Sequence, residues 1–462
     1  MAGPTILTPS PTSSPPTSDK EFPMAEPPQP SRITRRQLLT ASTVALSAAP
    51  FIVPNRVFAQ TPVASPEALP VPDGPQLYVS ATEVQFDEAF DIGVTGLSPL
   101  QEVEISSSYV DAMGKEWTAE GTYLTDVDEN LWLATQAPIE GTYDVADPMA
   151  LIWSAPSRTA AYYAPTVYGS EQAVITARVD GREIGATTVS RTILPEGGAP
   201  ILIEGPDLVA EFYEPAPGSQ TPAPAVVVLG GSEGGIYSQL IAGLLASHGY
   251  ATLAVGYFDT GPLPNTLERI PLEYFAAAFD WLGDRAEIDA GRLGVVGFTR
   301  DVELALLLGA YYPEVTAVVS YNGIELVAPA PFIIPPVPAW TWQGKGLAFA
   351  STLEDEFAEV PVERIDGPII LISGDADGLW QSTALSRVAW DRLQRTAHPW
   401  PNQFLSFPGA GHGINVPYAP RTSEYRFAGY SFGGDPRSDQ VASVISWQAV
   451  LNMLDWRLKR GD

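Results

Sequence analysis

From about Gly198 to the end of the chain, short aliphatic runs alternate with helix-length stretches, and the runs end in conspicuous turns. "AVVVL" (Ala225–Leu229) leads into "GGSEGG" (Gly230–Gly235), and a helix is expected from about Ile236 to Ser247. The strand "ATLAVGYF" and the helix "PLEYFAAAFDWLG" follow, and then "LGVVGFTRDVELALLLG" (Leu293–Gly309) supplies strand, turn and helix in one piece. "VTAVVSY", "GPIILISGDAD" and "QFLSFPGAGH" add three more strands. A last helix is expected over about Asp439 to Lys459, where Val441, Val444, Ile445, Leu451, Leu454 and Leu458 recur at helical spacing. Adjacent parallel strands need long crossovers, so this alternation implies a mostly parallel, doubly wound sheet with helices on both faces.

Sites in such a sheet gather beyond the carboxyl ends of the strands. Four marked turns fall there: "GGSEGG", "FTRD", "GDADGLW" and "PGAGHG". In chain order they offer a strand-to-helix elbow, an acid and a histidine, the order found in the α/β-hydrolase fold. The elbow reads Gly297, Phe298, Thr299, Arg300, Asp301 against the pattern G-x-S-x-G, with Thr for Ser and Asp for the last Gly. The chain has no cysteine, which excludes disulfides, thiolate metal sites and a Cys nucleophile, and its three histidines are His248, His398 and His412. A multi-His metal site is not expected, and a P-loop is excluded because no Lys followed by Ser or Thr comes after the glycines. No dinucleotide or flavin motif stands out, so no cofactor is inferred.

The region from about Gln76 to Leu194 has a different pattern. "QEVEISSSYV" sets Val103, Ile105, Ser107 and Tyr109 on one face with Glu102 and Glu104 on the other. "AVITARVDGREIGATTV" is a hairpin whose Asp180–Gly181 pair suits a type I′ turn. An all-β, immunoglobulin-like sandwich is the expectation, with no catalytic spacing in it. The organisation is therefore a leader over 1–59, a Pro-rich linker over 60–75, a sandwich over 76–194 and an α/β-hydrolase domain over 198–462.

Residues 1–30 contain nine prolines among many Ser and Thr, a composition that cannot build a core. Arg35–Arg36, a mildly apolar run to about Val53 and "VFA" (Val57–Ala59) together have the form of a twin-arginine export signal. The run is too short and interrupted to span a bilayer, so an exported chain without a membrane span in its mature part is expected. The net charge of −29 repels phosphate backbones and anionic lipid, which argues against nucleic-acid binding.

At "LGGSEGG", "YATLAVGYFDTGPLPNTLERIPLEYFAAAFDWL", "VVGFTRDVELALLLGAYYPEV", "PVERIDGPIILISGDADGLWQS" and "FPGAGHGINVPY" the chain resembles the acyl-CoA thioesterase and bile acid-CoA:amino acid N-acyltransferase family. "GLSPLQEVEI" and "PMALIWSAP" resemble the family's N-terminal sandwich, so the likeness spans nearly the whole mature chain. The resemblance implies a catalytic triad at Thr299, Asp377 and His412. In the family the first position is Ser or Cys and a second Asp precedes the acid, where this chain has Ala376. It further implies oxyanion-hole N–H groups at Ser232 and Arg300. His248 and His398 lack such a context and read as surface or packing residues.

A β-branched residue at the positive φ of an elbow is strained by about 1–3 kcal/mol, and its methyl crowds attack. Thr299 nonetheless keeps a hydroxyl that His412 could deprotonate. A carboxylate at Asp301, about 6 Å from the nascent oxyanion, would oppose it by roughly 3 kcal/mol at an effective dielectric of about 20. Three functional classes stay open: a hydrolase of an acyl thioester or ester, a silent acyl-binding relative, and a scaffold that binds through its sandwich. Chemistry assisted by Ser232 or Glu233 in the same pocket is a variant of the first. "VAPAPFIIPPVPAWTW" (327–342) reads either as a lid or acyl-pocket wall or as a Pro-rich surface loop. Oligomeric state is not legible.

Overall fold

The computed structural model describes residues 74–125, 130–157, 162–195, 197–421, 426–427 and 430–460. The leader with Arg35–Arg36, and all but the last two residues of the 60–75 linker, lie outside them.

The N-terminal part is two sheets packed face to face. Three strands, Gln76–Val79, Ile92–Thr95 and Asn130–Trp132, form one. Six form the other, with Glu102–Val110 flanked by Glu116–Leu124 and Ser170–Val179. Alternation in Glu102–Val110 puts Val103, Ile105, Ser107 and Tyr109 inside, as the period of two demands. Asp180 and Gly181 turn the hairpin with φ of 50° and 72°, the left-handed pair that a type I′ turn requires.

The C-terminal part is an eight-stranded sheet, here numbered β1 Ile201–Glu204, β2 Val209–Tyr213, β3 Ala223–Leu229, β4 Ala251–Gly256, β5 Ile288–Phe298, β6 Val315–Tyr321, β7 Ile369–Gly374 and β8 Gln403–Phe407. Their spatial order is β1-β2-β4-β3-β5-β6-β7-β8, and β2 alone runs against the rest. This is the α/β-hydrolase fold. Every residue of β3, β4, β6 and β7 is buried, because helices cover both faces. The helices are α1 Gln239–Ser247, α2 Ala276–Gly283, α3 Asp301–Tyr311, α4 Ser382–Arg395 and α5 Pro436–Leu454.

Two expectations need correction. Helix α1 begins at Gln239 rather than Ile236, because Gly234 and Gly235 hold left-handed φ of 72° and 71° and the chain regains helical geometry only beyond them. In α5 the buried stripe is Ala442, Ser443, Ser446, Trp447, Val450, Met453 and Leu454, while Val441 and Ile445 are each 49% exposed. Apolarity misled there. Leu454 and Leu458 are buried as expected, but the face that meets the sheet mixes them with Ala442, Ser443, Ser446, Trp447, Val450 and Met453, and leaves Val441 and Ile445 outside.

Candidate active site

Strand β5 delivers Gly297 and Phe298 to the top of the sheet, and α3 begins three residues later at Asp301. A Cβ at Gly297 would lie 2.3 Å from the Asp301 carbonyl oxygen, so only glycine permits helix and strand to approach this closely. Between them Thr299 sits at φ 49°, and its backbone N–H donates to the Tyr321 carbonyl at 2.8 Å. A threonine forced into left-handed backbone is the geometry of a nucleophile elbow, with its strain retained.

The acid and the histidine arrive from β7 and β8. The turn after β7 aims Asp377 so that Oδ1 accepts the backbone N–H groups of Leu379 and Trp380 at 2.8 and 2.9 Å. Its Oδ2 lies 2.8 Å from His412 Nδ1, with both side chains nearly buried. His412 is held through its backbone, which donates to Phe432 O at 2.8 Å and accepts from Asn322 Nδ2 at 3.1 Å. The Phe432 ring meets the imidazole edge to face, with centroids 4.9 Å apart. Fixed in this way, Nδ1 faces the carboxylate and Nε2 is the nitrogen left for proton transfer.

Thr299 joins this pair through a third residue. Trp380 Nε1–H donates to Thr299 Oγ1 at 3.1 Å, while the same residue's backbone N–H binds Asp377. Among the described residues no hydrogen bond runs directly from Thr299 Oγ1 to His412. Trp380, a residue that sequence reasoning missed, thus links Thr299 to Asp377, which in turn holds His412. The available signal was an aromatic donor three positions after the acid in "DADGLW".

The glycine loop closes the other side. Gly231 holds φ 151°, a backbone conformation that L side chains rarely adopt, and a Cβ there would lie 3.1 Å from Thr299 Cγ2, so the loop calls for glycine and the threonine methyl faces it. Among the described residues the backbone N–H groups of Ser232 and Arg300 make no hydrogen bond, which leaves both free to donate. Asp301 is fully buried and its Oδ2 accepts the Gly231 N–H at 2.8 Å, with the Tyr257 hydroxyl on Oδ1. Burial pushes its carboxyl up to about 7, against the pull of those two hydrogen bonds. The side chain that replaces a glycine therefore ties the loop to the elbow.

Behind the elbow, Arg300 Nη1 lies 2.8 Å from Glu303 Oε2 at an angle outside hydrogen-bond geometry, with both side chains almost inaccessible. Arg300 Nη2 donates to the carbonyls of Ala328 and Pro329 at 3.0 and 3.1 Å. Glu303 Oε1 accepts from Ala328 N–H and from Trp340 Nε1–H at 2.9 and 2.7 Å, and burial lifts its carboxyl to about 7. Arg300 thereby holds the 328–329 end of the 328–340 segment, and Glu303 ties that end to Trp340 at the other. The other histidines are structural. His248 Nε2 pairs with Asp87 at 2.6 Å, and His398 lies between the Ile365 carbonyl and Asn402 at 2.8 Å each.

Such a site can perform acyl transfer: a hydroxyl on an elbow, a carboxylate-oriented imidazole and, among the described residues, two backbone N–H groups without an internal partner. Comparison with known proteins agrees. The family description "BAAT / Acyl-CoA thioester hydrolase C terminal" matches residues 270–336 and 346–460. "Acyl-CoA thioester hydrolase/BAAT N-terminal region" matches residues 87–200. Mitochondrial acyl-coenzyme A thioesterase 2 of Mus musculus is 30% identical over 391 residues, covering 79% of this chain and 85% of that one. Peroxisomal succinyl-coenzyme A thioesterase of the same organism is 27% identical over 394 residues, covering 79% and 92%. Among solved structures, a dienelactone hydrolase-like phosphotriesterase from metagenomic libraries aligns at 20% identity and TM-score 0.40, over 56% of this chain and 98% of that one. A Mycobacterium tuberculosis puromycin-hydrolysing peptidase aligns at 15% identity and TM-score 0.41, over 83% and 68%.

Proposed function

The chain belongs to the acyl-CoA thioester hydrolase/BAAT family, and we propose that it hydrolyses a carboxylic thioester or ester through Thr299, with His412 as general base and Asp377 orienting it. His412 Nε2 takes the Thr299 hydroxyl proton as Oγ1 bonds to the carbonyl carbon. The electron pair moves onto the carbonyl oxygen, where the N–H groups of Ser232 and Arg300 receive it. Collapse expels the thiolate or alkoxide, which takes its proton from His412 and leaves an acyl-threonine. Water, deprotonated by the same imidazole, then releases the acid and restores the hydroxyl.

The observation that carries this reading is the left-handed φ of 49° at Thr299, opposite a 2.8 Å Asp377–His412 pair. The test is acid release from nitrophenyl-ester and thioester probes by the full chain. It is expected from the wild type and lost in Thr299→Ala at unchanged near-ultraviolet circular dichroism. Activity retained by that variant would reject Thr299 and point to Ser232 or Glu233.

A second reading, an acyl-binding relative without turnover, is favoured by the Trp380–Thr299 hydrogen bond, because the indole N–H draws on an Oγ1 lone pair, the electrons that attack would need. Replacing Trp380 by Phe keeps the ring and removes the donor. If the indole only orients an active hydroxyl, kcat falls about tenfold with KM unchanged, in line with the loss of one hydrogen bond. If the indole is what silences the site, the variant gains activity over a baseline near zero.

The Arg35–Arg36 leader supports export of the folded chain as part of the same proposal. Replacing both by Lys should retain the precursor inside the cell, and unchanged export would reject that route.

A further inference from the structure

The segment bolted down by Arg300 and Glu303 carries a feature that none of the proposed catalytic steps involves. Ala330 N–H donates to Val337 O at 2.8 Å and Pro329 faces Pro338 in an antiparallel bridge, so residues 331–336 form a closed tip. Its base is further pinned by hydrogen bonds from Arg269 and Ile270 to Pro338 and Ala339, at 3.0 and 2.8 Å. At the tip Phe332 is 94% and Ile334 93% exposed. Phe332 stands at φ 60°, a conformation that costs a bulky residue free energy, so the outward aim is held by the backbone.

Charge and area together identify the occupant. Between Val327 and Ala350 the only ionisable side chain is Lys345, in a chain whose net charge is −29. An anionic surface would repel the molecule, whereas this stretch has almost no charge to desolvate. One Phe and one Ile cover on the order of 350 Å², well below the roughly 800 Å² per partner of a stable protein interface. A second copy of the chain or a folded partner is therefore a poor match. Two apolar side chains on a rigid hairpin fit shallow, reversible insertion below lipid headgroups.

We infer that the 331–336 tip inserts Phe332 and Ile334 into the surface of zwitterionic lipid, docking the molecule on a neutral bilayer or lipid aggregate. This goes beyond the proposed chemistry and does not depend on Thr299. The experiment is co-sedimentation of the full chain with phosphatidylcholine vesicles. Wild type should bind weakly and reversibly. The double variant Phe332→Ser/Ile334→Ser should bind at least tenfold more weakly, with its near-ultraviolet circular dichroism unchanged. Phe332→Leu/Ile334→Leu should restore binding. No wild-type binding would overturn the inference, as would equal binding by the Ser variant. So would binding that appears only when phosphatidylglycerol is added, or a dimer in sedimentation velocity that the Ser variant abolishes.

Discussion

Thr299→Ser should raise kcat for ester hydrolysis by about 10- to 100-fold while leaving the fold intact. Two contributions add. Thr299 holds φ 49°, where a β-branched side chain is strained, and serine relieves part of that strain without moving the hydroxyl. Its Cγ2 also faces Gly231, the neighbour of Ser232 in the glycine loop. Removing the methyl opens that space for the carbonyl. Steady-state kinetics on both proteins, with one ester and one thioester, check the result. A serine variant no faster than wild type would mean that the methyl is not what limits the site.

The second large effect concerns stability. Arg300→Ala should destabilise the protein by about 3–5 kcal/mol, because Glu303 is left buried without its cation and two carbonyls lose a donor. The loss should depend on pH. Burial already raises the Glu303 carboxyl to about 7 with Arg300 present, and removing the cation raises it further. A carboxyl raised in the folded state favours folding below its unfolded value of about 4.3 and loses that contribution as pH climbs through its folded value. The variant should therefore lie closer to wild type at pH 5 than at pH 8. Adding Glu303→Gln should recover much of the loss at pH 8. Urea unfolding at both pH values measures this, and a loss independent of pH would assign the cost to packing alone.

Much of the architecture was legible because it rests on periodicity and turn chemistry. The alternation that begins at Ala225 encodes crossovers whatever the tertiary detail, and Asp180–Gly181 marks its hairpin by backbone preference alone. The elbow could be placed because Gly297 and the strand–helix junction are local. The order of loops along the chain set an acid before a histidine, and the family resemblance singled out Asp377 and His412 as that pair. What escaped the sequence depends on contacts between distant segments. Nothing local tells that Trp380 will turn its indole onto Thr299, 81 positions away. The expected repulsion at Asp301 assumed a carboxylate facing substrate, whereas burial directs it to the Gly231 N–H and the Tyr257 hydroxyl. Glu303 and Glu325 left a readable trace, since carboxylates inside apolar runs must find partners. Glu325 finds the hydroxyls of Ser320 and Ser386 at 3.0 and 2.6 Å. The exposed Val441 and Ile445 of α5 show the opposite failure, in which apolarity alone cannot tell which face of a helix meets the sheet.

The most direct measurement of the central claim is covalent labelling of the full-length chain with an alkyl fluorophosphonate, read by peptide mass mapping. Phosphonylation of Thr299 is the expected result, abolished in Thr299→Ala and strongly slowed in His412→Ala. Label on another residue, no label at all, or a rate indifferent to His412 would contradict the account.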